Sequence, residues 1–115
     1  MAILNLSEHV LLVTLPAEPQ STGDLETVIR SVGSRGDCDV IVDFSLTETL
    51  SSATLCNLLV MERMLSMTDH QLILCSISPS IRGVFVRVGL HKLFRFAEDE
   101  FAAIQSLEDS METDP

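Results

Sequence analysis

Two short apolar runs, AILNL and HVLLVTL, open the chain, with Ser7 and Glu8 between them. Apolar runs of this length flanking a polar pair predict two strands joined by a tight turn. Pro16 and Pro19 stop the second, because proline cannot donate to a strand ladder. Leu25, Val28, Ile29 and Val32 then recur at helical spacing, so one stripe of a helix faces a core. Ser21 or Thr22 can cap that helix, Asp24 and Glu26 suit its positive end, and Gly33 or Gly36 can close it.

The pattern then changes period. Val40–Phe44 carries three β-branched residues in a row, the mark of a strand buried on both faces. A helix follows from about Ser52 to Met67, then a strand over Gln71–Ile77. Ser78–Pro79 is a strong helix start, a capping hydroxyl followed by proline at the first helical position. Ile81, Val84, Phe85 and Val88 form that helix's stripe, and Gly89 is placed to end it. Leu93–Phe96 reads as a short strand, and Glu98–Asp99 opens a last helix with Phe101, Ile104 and Leu107 inward. Strand, strand, helix, then strand and helix three times over predicts an α/β domain with a small, mixed, partly parallel sheet covered by helices.

The 115 residues suffice for one domain with its own core. Residues 1–108 are read as that domain and the acidic 109–115 as a frayed tail. Apolar residues make up 46% of the chain without Trp or Tyr, so the core is aliphatic with five Phe and five Met. No apolar run approaches the roughly 18 residues that span a membrane, so no direct membrane insertion is expected. The start, MAILNLSEH, lacks the charged and apolar parts of a leader, and a cytoplasmic protein is the expectation. Seventeen acidic residues against seven basic ones give a formal charge of −10. That charge repels nucleic acid and anionic lipid, and would attract a basic protein surface if it does more than confer solubility.

Candidate chemistry is sparse. No phosphate-cradling glycine motif and no GxSxG elbow is present, and His9, His70 and His91 lie at no metal spacing. Cys38, Cys56 and Cys75 fit no zinc or CxxC pattern and read as reduced, mostly buried thiols. Asp37/Asp39 and Glu98/Asp99 sit at element ends, where solvation or capping accounts for them. No catalytic constellation, cofactor or metal site is read, and a non-enzymatic protein is expected.

Ser51 and Ser52 stand where the helix from Ser52 begins. They are read in two ways. A serine there can be an N-cap worth about 1 kcal/mol and nothing more. The same geometry also suits a phosphoserine, because helix N-termini favour anions, and about −2 of new charge could weaken a docking face without unfolding it. The helix itself, SATLCNLLVMERMLSM, is more apolar than one core-facing stripe requires. Leu55, Leu58, Leu59 and Leu65 suffice for the stripe. Cys56, Val60, Met61, Met64 and Met67 are left for its flanks or outer face, where neighbouring helices cover them or a partner docks.

The chain resembles the STAS domain, the family of bacterial anti-sigma factor antagonists. In that family a strand ending Asp-Leu-Ser leads through a short loop to Asp-Ser-Ser/Thr-Gly-Leu, which opens a helix. Here the strand ends Asp43-Phe44-Ser45 and the helix opens Ser51-Ser52-Ala53-Thr54-Leu55. The family's next strand, its Ile/Val-Ser-Pro helix start and its Gly-Leu before a short strand are matched by Leu72–Ile77, Ile77-Ser78-Pro79 and Gly89-Leu90. The match runs over residues 38–108 and more loosely over the first 37. Ser51, Ala53 and Thr54 replace the motif's aspartate, second hydroxyl and glycine, and Ala17-Glu18-Pro19-Gln20 stands for its Gly-Glu-Leu-Asp. The resemblance implies a five-stranded STAS-like sheet with four helices, and an anti-sigma factor acting as serine kinase for partner. It also implies Ser52 as phosphoacceptor, with Ser51 as the alternative. The partner surface is expected at Gln20, Ser51, Ser52, Ala53 and Thr54, extended along the helix by Met61 and Met64. Stand-alone STAS proteins also serve as accessory subunits docking on the ATPase of ABC-type lipid transporters. That role and a phosphorylation-independent scaffold are the alternatives.

Overall fold

The structure is a computed structural model that describes residues 2–18 and 20–112, with side chains for 3–18 and 23–108. Strands β1 (Ala2–Ser7) and β2 (Val10–Thr14) form an antiparallel hairpin turning at Glu8 and His9. Helix α1 (Gln20–Arg35) leads to β3 (Asp39–Asp43), α2 (Ser52–Met67), β4 (Leu72–Cys75), α3 (Pro79–Arg87), β5 (Arg95–Ala97) and α4 (Glu100–Glu112). The five strands lie in sequence order, β2 to β5 all parallel. This is the mixed sheet with four helices that the residue pattern predicts.

The register decides which side chain meets which helix. Leu12, Ile41 and Ile73 stand abreast and face α4, where Ala103 and Leu107 close a small core. One residue on, Val13, Val42 and Leu74 point the other way, into the main core beneath α1, α2 and α3. Leu25, Val28 and Val32 come from α1, Leu58, Met61 and Leu65 from α2, and Ile81 and Phe85 from α3. Both faces of the central strands are therefore covered, which is why β3 reads as an unbroken apolar run.

Several expectations shift. Helix α1 runs through Gly33 and ends only at Arg35; Gly36, at φ +65°, makes the left-handed exit, its N–H bonding Val32 O at 2.8 Å. Gly33 serves packing instead, for a Cβ there would stand 3.0 Å from Met64 Cε. Because α1 starts at Gln20, Ser21 and Thr22 belong to its first turn and not to its cap; their side chains, and Pro19, lie outside the described residues. β4 is shorter than expected because Ser76 takes φ +59°, which leaves the strand. β5 starts at Arg95, two residues late, since Leu93 sits in a turn. Phe101 is 84% exposed, against the expectation of an inward Phe101; Ala103 takes the core position on α4. That helix continues to Glu112, and residues 113–115 of the expected tail lie outside the described residues.

Candidate functional site

The carboxyl ends of β2, β3 and β4 carry the loops that enter α1, α2 and α3, and this rim is where open α/β sheets place their functional groups. Asp43 ends β3 and is buried. Its Oδ1 accepts the Ser45 N–H at 2.7 Å and its Oδ2 lies 3.5 Å from Ser76 Oγ. Burial pushes the Asp43 carboxyl up, but hydrogen bonds from Glu100, Ser45 and Ser76 outweigh it and hold the group below its usual value. Glu100, at the start of α4, is shifted up, first by its hydrogen bond to Asp43 and then by burial. Of the two carboxyls, Glu100 is therefore the one that takes up a proton first as the pH falls.

From Asp43 the chain crosses a loop in which Thr47 is buried, its hydroxyl donating to Leu15 O at 3.3 Å and Pro16 O at 3.2 Å. The loop ends at Ser51, which is the N-cap of α2. Ser51 is extended, and its Oγ accepts the Thr54 N–H at 3.1 Å. The same Oγ donates to Thr54 Oγ1 at 3.1 Å. Glu18, reaching over from the segment after β2, accepts the Ser51 N–H at 2.7 Å and the Thr54 hydroxyl at 2.8 Å through Oε2. Two donors at the start of the helix thus meet one carboxylate, at the end where the helix dipole favours negative charge.

Ser52 is the first residue of α2 and is exposed, as is Ala53 beside it. Ser51 is half-buried within the capping network, so of the two serines Ser52 is the more exposed. Two of the expected contact residues are buried. Thr54 is fully buried because its hydroxyl turns in to Glu18. Met61 is fully buried because it falls on the same face as Leu58 and Leu65, against the sheet. Met64 is half-buried against α1 at Gly33. The side chain of Gln20 lies outside the described residues. The outward strip of α2 is instead Ser52, Cys56, Val60, Arg63 and Met67, with Val60 47% and Met67 76% exposed. Beside it runs an open apolar groove of about 510 Å³ that Leu59, Val60, Met64 and Leu93 help to line.

Sequence reasoning missed the part played by Glu18. It lies 33 residues from Ser51, beyond any local pattern, though its place in the segment aligned with Gly-Glu-Leu-Asp marked the position. The cysteines are all free; Cys38 and Cys75 are buried and Cys56 is exposed on α2. Burial pushes the Cys75 thiol up to about 12 and raises that of Cys38. Among the described residues no cluster of His, Cys, Asp and Glu could hold a metal ion, and no helix is long and apolar enough to cross a membrane.

No family model and no curated protein matches the sequence. Solved structures do match. RsbS of Moorella thermoacetica, in a Ser→Glu variant, superposes with a TM-score of 0.83 at 16% identity, covering 97% of each chain. The Bacillus cell fate determinant SpoIIAA, in its phosphorylated form, gives 0.71 at 20% identity over 92% of this chain and 97% of its own. An anti-sigma-factor antagonist (STAS) domain protein from Planctomyces limnophilus gives 0.72 at 14% identity over 93% and 97%. The chain has the STAS fold, with its second helix opening at Ser52.

Proposed function

We propose that the protein is a cytoplasmic regulatory binding module of the anti-sigma factor antagonist type, whose docking to a partner anti-sigma factor is switched by phosphorylation of Ser52. One observation carries this reading. Ser52 is exposed at the first position of α2, beside a serine already occupied as the cap. A phosphate there gains from the helix dipole, so the domain stays folded while its surface charge changes by about −2. The docking face is then the first turn of α2 with the outward strip through Cys56, Val60 and Met67. That one structural neighbour is SpoIIAA in both unphosphorylated and phosphorylated form supports the reading.

The test is phosphate transfer from the native lysate with labelled ATP, followed by identification of the captured partner. Wild type and Ser51→Ala take up label, Ser52→Ala takes up none, and the partner is a GHKL-type kinase. Ser52→Asp lowers binding with an unchanged circular dichroism spectrum. An ABC-type ATPase captured without any phosphate uptake overturns the reading in favour of a transport accessory subunit. Label that persists in Ser52→Ala and vanishes in Ser51→Ala moves the acceptor to the cap.

A further inference from the structure

We infer that the protein has a second docking face, a basic and apolar groove between the second half of α2 and the turn after α3, and that it takes an acidic, amphipathic segment of a partner protein. The face lies away from Ser52 and does not depend on that serine being phosphorylated.

Charge is spread unevenly along the chain. Residues 71–97 hold Arg82, Arg87, Lys92 and Arg95 and no acidic residue, while the rest hold all seventeen acidic residues and only three basic ones. The fold exposes all four cations. Arg95 turns toward α4, where it donates to the Ser106 hydroxyl, and Arg82 lies over the Phe96 ring, 4.8 Å from its centre. Arg87 and Lys92 are left at the end of α3 and in the turn that follows. That turn is tied down, Leu90 N–H bonding Phe85 O at 2.9 Å and Leu93 N–H bonding Leu90 O at 3.0 Å. It carries Leu93, 56% exposed, into the open groove of about 510 Å³ beside α2, whose other wall includes Leu59, Val60 and Met64. The charged residues lining the groove are Glu62, whose carboxylate accepts the Ser66 hydroxyl at 2.9 Å, and the exposed Arg63. Among the described residues, none of Arg63, Arg87 and Lys92 is ion-paired.

These features select the occupant. Three cations without carboxylate partners, beside the exposed Val60 and Leu93, match a segment that carries acidic and apolar side chains together. A nucleic acid has no aliphatic groups to fill the groove, and an extended polyanion or anionic bilayer meets repulsion from the acidic remainder of the surface. A short protein segment escapes that repulsion by touching this face alone. Distance separates the face from the switch. Arg63 is eleven residues beyond Ser52, about 16 Å along the helix, and salt screens exposed charges over about 8–10 Å.

The experiment titrates the full chain with a synthetic peptide and follows the amides by NMR. The peptide has about eighteen residues, with leucine on one helical face and glutamate on the other. Its control has glutamine for every glutamate. The glutamate peptide is expected to shift Val60, Arg63 and Leu93 saturably, and the glutamine peptide to bind about fivefold or more weakly. Arg87→Ala combined with Lys92→Ala, both exposed, lowers affinity about fivefold and leaves the spectrum of the core unchanged. Ser52→Asp binds the peptide within about twofold of wild type. Equal affinity for the two peptides, or full affinity in the double variant, overturns the face. So does the absence of saturable binding at millimolar peptide. Binding to phosphatidylglycerol vesicles that the peptide does not displace overturns it in favour of a membrane contact. A loss in Ser52→Asp as large as in the double variant merges the face with the switch and ends its independence.

Discussion

Met61 and Met67 lie on one helix and are the same residue type, yet they should behave as opposites. Met61 is fully buried between Leu58 and Leu65 on the sheet-facing side of α2. Met61→Ala removes a methylene, the sulfur and a methyl from a packed site. The lost transfer energy and the residual cavity together put such changes at about 2–5 kcal/mol. Met67 is 76% exposed near the end of the helix, where a change of this kind stays within about 0.5 kcal/mol. For a domain of 115 residues each kcal/mol moves the melting temperature by roughly 3–6 °C. Met61→Ala is thus expected to melt about 10 °C or more below wild type, and Met67→Ala within about 3 °C. Urea unfolding gives the same quantity independently, with a midpoint lower by roughly 1–2 M for Met61→Ala at unchanged slope. Partner binding by the folded fraction should be intact in Met61→Ala and weakened in Met67→Glu. A near-normal melting temperature for Met61→Ala, with a large loss for Met67→Ala, would mean that α2 is turned about 120° from its place here, and the docking strip would have to be redrawn.

Asp69 follows the C-cap of α2 at φ +61°, and His70 N–H closes the turn on Leu65 O at 2.8 Å, so Asp69→Gly relieves a left-handed non-glycine and should stabilise by up to about 1 kcal/mol in the same urea assay. The bond to Asp43 holds the Glu100 carboxyl above its ordinary value of 4.5. The protonated form is therefore favoured on folding, and its contribution is full below 4.5 and lost as the pH rises through the elevated folded value. Glu100→Gln, a permanent donor to Asp43, should remove that loss, raising the melting temperature at pH 7 relative to wild type and narrowing the gap toward pH 4; a constant gap across that range would argue against a bond in which the protonated Glu100 donates to Asp43.

How much of this was legible depended on how local the cause was. The limits of α2, Ser52 and Met67, were readable because a capping hydroxyl precedes an apolar stretch. The start of α3 was readable for the same reason, Ser78 accepting the Ile81 N–H ahead of Pro79, and Gly89 takes the left-handed exit its position suggested. The face of α2 was not readable. Leucine, valine and methionine occur all round it, so period alone does not phase the helix, and only contact with the sheet selects Met61 over Leu55 and Leu59. On α4, Phe101, Ile104 and Leu107 make a tempting stripe, but the sheet accepts the small Ala103, which allows close approach, and Phe101 is left in solvent. Glu18 and Glu100 were beyond any local pattern, since each acts across the fold on an element distant in sequence.

The positions at which the helix start departs from the STAS motif belong together in space. Ser51 stands for the motif's aspartate and still supplies the cap, since its Oγ accepts the Thr54 N–H as an aspartate oxygen would. A neutral hydroxyl brings no charge to the helix dipole, and Glu18 provides that charge from outside, bonding the Ser51 N–H itself. Thr54 stands for the glycine. A buried hydroxyl at that position would cost 1–3 kcal/mol, roughly, if left unpaired, and the same Glu18 oxygen accepts it. Three departures read one by one suggest a decayed site. Taken with Glu18, which keeps the glutamate of the aligned Gly-Glu-Leu-Asp segment and joins two of them, they form one connected set, in which a loop carboxylate supplies the negative charge that the cap lacks. What the rearrangement leaves untouched is the exposed hydroxyl of Ser52 at the first position of the helix.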